Sequence, residues 1–231
     1  MKKHGFTLAE VLVTLGIIGV VAALTTPALI QNVANAKIGP RLQKTKATFE
    51  TAAEMMLTDE SANALRGVAT NSAGIGKALQ KHMKATQDDN IIVTYKNYNG
   101  SATAIPAATF KVRNSRYNLE DGVSIYLQLN SSLAHPLDKY ADIPNNQLIG
   151  NLYVDINGDD GPNRFGKDVF AFYLYNDGTL RPYGTKGANR TDDSAPLWSA
   201  MCNADGVHSQ NDAGLYCTGS IFDNGLKVIY Q

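Results

Sequence analysis

Lys2-Lys3-His4-Gly5-Phe6-Thr7-Leu8-Ala9-Glu10 opens the chain, and Val11 to Ile30 follows without a charged residue. The uncharged run is about twenty residues long, enough to cross a bilayer as a helix. Such a helix satisfies its backbone polar groups within the segment, so lipid can hold it. Glu10 and Gly5 set the run apart from a plain anchor. Glu10 puts a carboxylate at its edge, and Gly5 separates a short basic head from it. An acid that reached the bilayer centre unpaired would cost about 2.5 to 3.5 kcal/mol, and less at the interface. Glu10 is therefore either solvated at headgroup level or a functional carboxylate.

The order Gly5-Phe6-Thr7-Leu8-Ala9-Glu10, followed by an apolar helix, resembles the N-terminus of type IV pilins and type II secretion pseudopilins. The resemblance implies that a prepilin peptidase/methylase cuts between Gly5 and Phe6 and N-methylates Phe6. Glu10 then takes the place of the family's glutamate, and Pro27 falls where many members carry a proline. The implied fold is α+β, with a long helix, first transmembrane and then amphipathic, packed on an antiparallel β-sheet head. The implied layout is a leader at 1–5, a helix at 6–58 spanning the membrane over about 11–30, and a head at 59–231. Cutting after Gly5 would create an α-amine on Phe6, one helical turn from Glu10 and on the same face. In a filament, Glu10 would neutralise the Phe6 amine of a neighbour. A buried unpaired charge costs far more than a paired one, so the pair would set subunit register. A secretory signal peptide competes with this reading, with small residues at Ala22-Ala23 and Thr25-Thr26-Pro27-Ala28. Its apolar core should be only about 7 to 15 residues, however, and this run is longer and starts on Glu10.

The chain has 231 residues, zero formal net charge and 44% hydrophobic residues. Beyond the helix, enough remains for one modest core. Zero net charge argues against nucleic acid as a general partner, which would need clustered Lys and Arg. The cysteines are Cys202 and Cys217. In an exported domain an even count reads as a disulfide, worth about 3 kcal/mol in the chain-entropy model. In a cytosolic domain the same residues would be reduced thiols. Lys2 and Lys3 favour a cytoplasmic N-terminus, but Lys37, Arg41, Lys44 and Lys46 follow the run, so basic residues alone do not orient it. The resemblance and the cysteine pair place the head outside the cytoplasm.

Beyond Ile30 the helix continues, with Leu42, Phe49, Ala53 and Met56 on one face. Lys46 and Glu50 stand one turn apart. Pro27 and Gly39-Pro40 predict kinks. Ser61 to Thr70 reads as a linker or frayed helix, and Ser72 to Lys84 as a short basic helix with Ile75, Leu79 and Met83 inward. Strands are expected at Ile91–Tyr95, Thr109–Val112, Val123–Leu129, Val169–Tyr175, Leu180–Tyr183 and Leu226–Tyr230. Val123–Leu129 alternates as a half-buried strand should, and Asn176-Asp177-Gly178-Thr179 reads as a hairpin turn. Asn130 to Asn146 and Thr185 to Ala213 read as long loops, and Trp198 as core beside Cys202.

The densest polar stretch is Asp155-Ile156-Asn157-Gly158-Asp159-Asp160-Gly161-Pro162-Asn163, leading to Asp168. Asp155, Asn157 and Asp159 alternate as calcium ligands do, and Asp160, Asn163 and Asp168 could add oxygens. The match to an EF-hand loop is imperfect, since glycine comes one residue late and no glutamate closes the loop. Asp, Asn, Gly and Pro also serve any tight loop between strands. The resemblance favours calcium slightly, because major pseudopilins carry one.

There is no nucleophile elbow, phosphate loop or zinc spacing, and His4, His82, His135 and His208 are scattered. The reading is a structural subunit, not an enzyme, of a type IV pilus or type II secretion pseudopilus. Its partners would be the peptidase, homologous pilin or pseudopilin subunits, an inner-membrane assembly platform and the membrane. It would sit in the bacterial inner membrane as a single-pass protein, then in a periplasmic or extracellular filament. The alternative is a minor tip-located adhesin or membrane-tethered binding module using the same leader, with its long loops carrying ligand contacts.

Overall fold

A computed structural model describes residues 5, 7–88, 94–98, 100, 116–129, 148–158, 160–185, 202 and 214–230. The expected strands at 91–93 and 109–112, the loop at 130–146, most of the 185–213 loop, and Trp198 lie outside these residues. Two compact units are present, Met1–Lys37 and Ile38–Gln231.

Helix α1 runs Leu8–Asp59, 52 residues, and stays continuous through Pro27 and Pro40. In the first unit its apolar side chains, from Leu8 through Val33, are all exposed. The helix is long and apolar enough to cross a membrane.

The second unit is the α+β head, with pilin-like architecture. Here α1 buries the stripe expected from its 3.6-residue period: Leu42, Phe49, Ala53 and Met56, extended by Ile38 and Ala52. After the one-turn α2, Leu65–Val68, comes α3, Ser72–Met83. Asn71 caps α3 by accepting the Gly74 N–H at 2.8 Å, and Lys84 ends it in the left-handed region at φ 49°. Ile75, Leu79 and Met83 are buried as expected.

Among the described residues the sheet has six strands: β1 Ala85–Gln87, β2 Arg116–Leu119, β3 Ser124–Leu129, β4 Leu148–Asp155, β5 Val169–Tyr175 and β6 Leu180–Pro182. They pair in chain order, each antiparallel to the next. The β5–β6 hairpin turns where expected: Asp177 Oδ1 accepts the Thr179 N–H at 2.9 Å, and Gly178 supplies φ +88°. Helix α4, Cys217–Asp223, follows the disulfide Cys202–Cys217.

Two sequence expectations need correction. β3 is not half-buried, because both faces of the sheet are covered. One face carries Ile125, Leu127, Leu152, Val154, Phe170 and Phe172 in a core with the α1 and α3 stripes. The other carries Tyr126, Tyr153 and Tyr173 in a second core with Tyr95, Phe165 and Leu215. Tyrosine reads as the polar alternate in a pattern but buries a large apolar ring. Leu226–Tyr230 is not a strand either. Gly225 and Leu226 both take positive φ, 65° and 66°, and turn the chain away from any ladder. Leu226 lies against α1 at Gly39, where a Cβ would overlap its carbonyl oxygen, and the Tyr230 hydroxyl donates to Gly166 O at 2.9 Å.

Candidate functional site

At the N-terminus, the first turn of α1 is closed reciprocally. The Thr7 N–H and hydroxyl both donate to Glu10 Oε2, at 2.8 and 2.9 Å, and the Glu10 N–H donates to Thr7 Oγ1 at 3.3 Å. This is a capping box, with Thr7 at the N-cap and Glu10 at the third helical position. Sequence reasoning singled out Glu10 and overlooked Thr7, although threonine three residues before glutamate at a helix start is the signal for it. Gly5 is exposed and precedes the helix. Phe6 lies outside the described residues, so the expected cleavage pair is seen only on its glycine side.

The acidic stretch sits between β4 and β5. Asp155 is the last residue of β4, paired with Ser124 on one side and Val169 on the other. Asp155 is fully buried and Asp168 is 4% exposed. Asp168 organises the loop: Oδ2 accepts the Asn163 N–H and Oδ1 the Arg164 N–H, both at 2.6 Å. Its backbone carbonyl accepts the Ile156 N–H at 2.9 Å. Asp155 Oδ1 accepts the Asn157 N–H at 3.3 Å, and the Asn157 amide donates to Gly161 O at 3.2 Å.

Two buried amide oxygens in this stretch take no hydrogen bond, Asn157 Oδ1 and Asn163 Oδ1, while the Asp155 carboxyl has the Tyr95 hydroxyl as a neighbour. Burial, and then the Asp168 carboxylate, push the Asp155 carboxyl up to about 8. Burial also raises Asp168, against the hydrogen bonds from Arg164 and Asn163. Nearby, Arg116 is buried, donates to Ser124 Oγ at 3.0 Å and pairs with Asp88 at 3.4 Å; its charge lowers Asp155 somewhat.

An oxygen-only set of two buried carboxyls and unmet buried amide oxygens is the donor chemistry of a hard cation. The residues therefore fit calcium. Of the expected ligands, Asp155, Asn157 and Asp168 are gathered at the β4–β5 connection, and Asp159 lies outside the described residues. Asp160 is exposed. Among the described residues no three Asp, Glu, His or Cys side chains converge, so the set rests on two carboxylates and amide oxygens. His82 Nε2 lies 3.5 Å from Asp59 Oδ2 at the protein surface.

Residues 1–26 match the family model for the prokaryotic N-terminal methylation motif. No curated protein and no solved structure matches the chain.

Proposed function

We propose that this chain, which opens on the leader of type IV pilin and pseudopilin precursors, is a structural subunit of a type IV pilus or type II secretion pseudopilus. The observation that carries the reading is the methylation motif over residues 1–26, which runs into the exposed apolar half of α1. In this reading a prepilin peptidase cuts between Gly5 and Phe6 and methylates the new amine. The apolar half of α1 holds the subunit in the inner membrane, with the head outside the cytoplasm. Assembly with pilin or pseudopilin subunits, driven by a membrane platform, then packs that half into a filament. Glu10, held by Thr7 in the unassembled chain, would exchange this contact for the Phe6 amine of a neighbour. Asp155, Asn157, Asn163 and Asp168 would hold a calcium ion that neutralises the carboxylates and fixes the loop.

The test is intact mass and N-terminal peptide mapping of the chain made alongside its native membrane peptidase. The expected product begins at Phe6 and carries one added methyl group. A product that keeps Met1, or is cut near Ala23 or Ala28, overturns the reading. Abundance in sheared filaments then separates a main subunit from a tip-located binding module, which would be present in trace.

A further inference from the structure

The head carries an open groove of about 780 Å³ along one flank of α1, lined by Glu50, Glu54 and Asp177 with the hydroxyls of Thr51, Thr58 and Ser61. Among the described residues no Lys or Arg lines it. Glu50 is occupied: it takes Lys46 Nζ at 2.6 Å and the Leu180 N–H at 2.8 Å. Glu54 and Asp177 are exposed, and among the described residues neither forms an ion pair. The groove is therefore a concave surface with uncompensated negative charge.

The opposite flank of α1 carries Lys44, paired with Asp121. At about 100° per residue, Lys44 and Thr48 fall on the far side of the buried Leu42–Phe49–Met56 stripe from Glu50 and Glu54. Lys44 and Thr48 line a depression there with Lys84, Glu120 and Asp121, so the depression itself is of mixed charge. Lys77 and Lys81 are exposed one turn apart on α3, and Lys84 is exposed at its left-handed C-cap, so the end of this helix presents a basic stripe. Lys81 reaches Asp59 at 3.2 Å and Lys44 reaches Asp121 at 2.7 Å. Among the described residues Lys77 and Lys84 have no ion pair.

We infer that the groove of Glu50, Glu54 and Asp177 is a docking surface for the Lys77–Lys81–Lys84 stripe of a second copy of this chain. Two grooves facing each other would repel, as would two stripes. Groove to stripe is attractive, and the faces differ, so the contact is heterologous. Each docked copy leaves one groove and one stripe free at the two ends, the condition for an open repeating assembly rather than a closed dimer. The inference rests on the assembly reading above and names the surface by which heads meet.

The test is zero-length carbodiimide cross-linking of the full chain, assembled from an equal mixture of normal and nitrogen-15-labelled subunits. Mixed-isotope cross-links should join the peptide carrying Lys77 or Lys84 to one carrying Glu54 or Asp177. Reversing the groove charge with Glu54→Lys and Asp177→Lys should lower polymer yield about two- to fivefold, the size of exposed ion-pair effects. Adding Lys77→Glu and Lys84→Glu in the same chain should restore it. Processed polymer whose mixed-isotope links lie elsewhere, or whose groove links to a different protein, overturns the surface. N-terminal mass on the same sample separates the failures. A chain cut at Phe6 without these links sinks the docking surface alone, an uncut chain with them sinks only the processing reading, and an uncut chain without them sinks both.

Discussion

Asp121 ties the β2–β3 turn to α1. Burial pushes its carboxyl up, but the Lys44 ammonium at 2.7 Å, the Val123 N–H and the Arg41 charge outweigh burial and hold it below its ordinary value. A carboxyl depressed in the folded state contributes stability above its unfolded value, and loses it as pH falls through the lowered folded one. Asp121→Asn should cost about 0.2–1 kcal/mol at neutral pH, the range of a partly exposed pair, and this deficit should vanish on acid titration of the denaturant midpoint. At the β4–β5 loop the decisive group is Asp155, fully buried beside the Asp168 carboxylate. Calcium should raise the melting temperature of the wild-type protein, by about 2.7 kcal/mol of added stability at a hundred times the dissociation constant. Asp155→Asn should remove the response. An unchanged wild-type melting temperature in millimolar calcium would reduce the loop to a hydrogen-bonded turn built on Asp168.

At the scale of elements, α1, α3 and the β5–β6 hairpin were legible because each carries its own local signal. The Leu42–Phe49–Met56 period, the Asn71 cap and the Asp177-Gly178 turn all act within a few residues. The second core was not legible, because its rings come from Tyr95, Tyr126, Tyr153 and Tyr173, which periodicity scores as the solvent side. At the candidate sites, the Glu10 carboxylate and the acidic loop could be read directly, whereas the unmet oxygens depend on burial that no spacing reveals. Helix α4 was also hidden. Its Cys-Thr-Gly-Ser start has weak helix propensity, and tertiary contacts hold it. One of those contacts is testable: Thr218 Oγ1, fully buried, accepts the Ala171 N–H of β5 at 3.0 Å. Thr218→Val keeps the shape but strands that N–H, and should cost about 1–3 kcal/mol in thermal or denaturant unfolding.

At the scale of the whole molecule, the sheet among the described residues is a meander, each strand pairing with the described strand before it. Such a sheet can grow as the chain emerges, through neighbouring contacts alone. The seat of Leu226 on Gly39 and the Tyr230 bond to Gly166 are different, since they join the end of the described chain to positions made much earlier. A stop codon after Asn224 should therefore leave a chain whose sheet is open to protease while its N-terminal helix is made normally; limited proteolysis of membranes would show it. The Gly39 seat also puts a clock on biosynthesis. Between the emergence of Gly39 and that of Leu226 lie about 190 residues, about 10–40 s of translation at roughly 5–20 residues per second. For that interval the nascent head has an unsealed helix seat and unfinished cores, so its apolar surface stays open to other chains until Leu226 arrives.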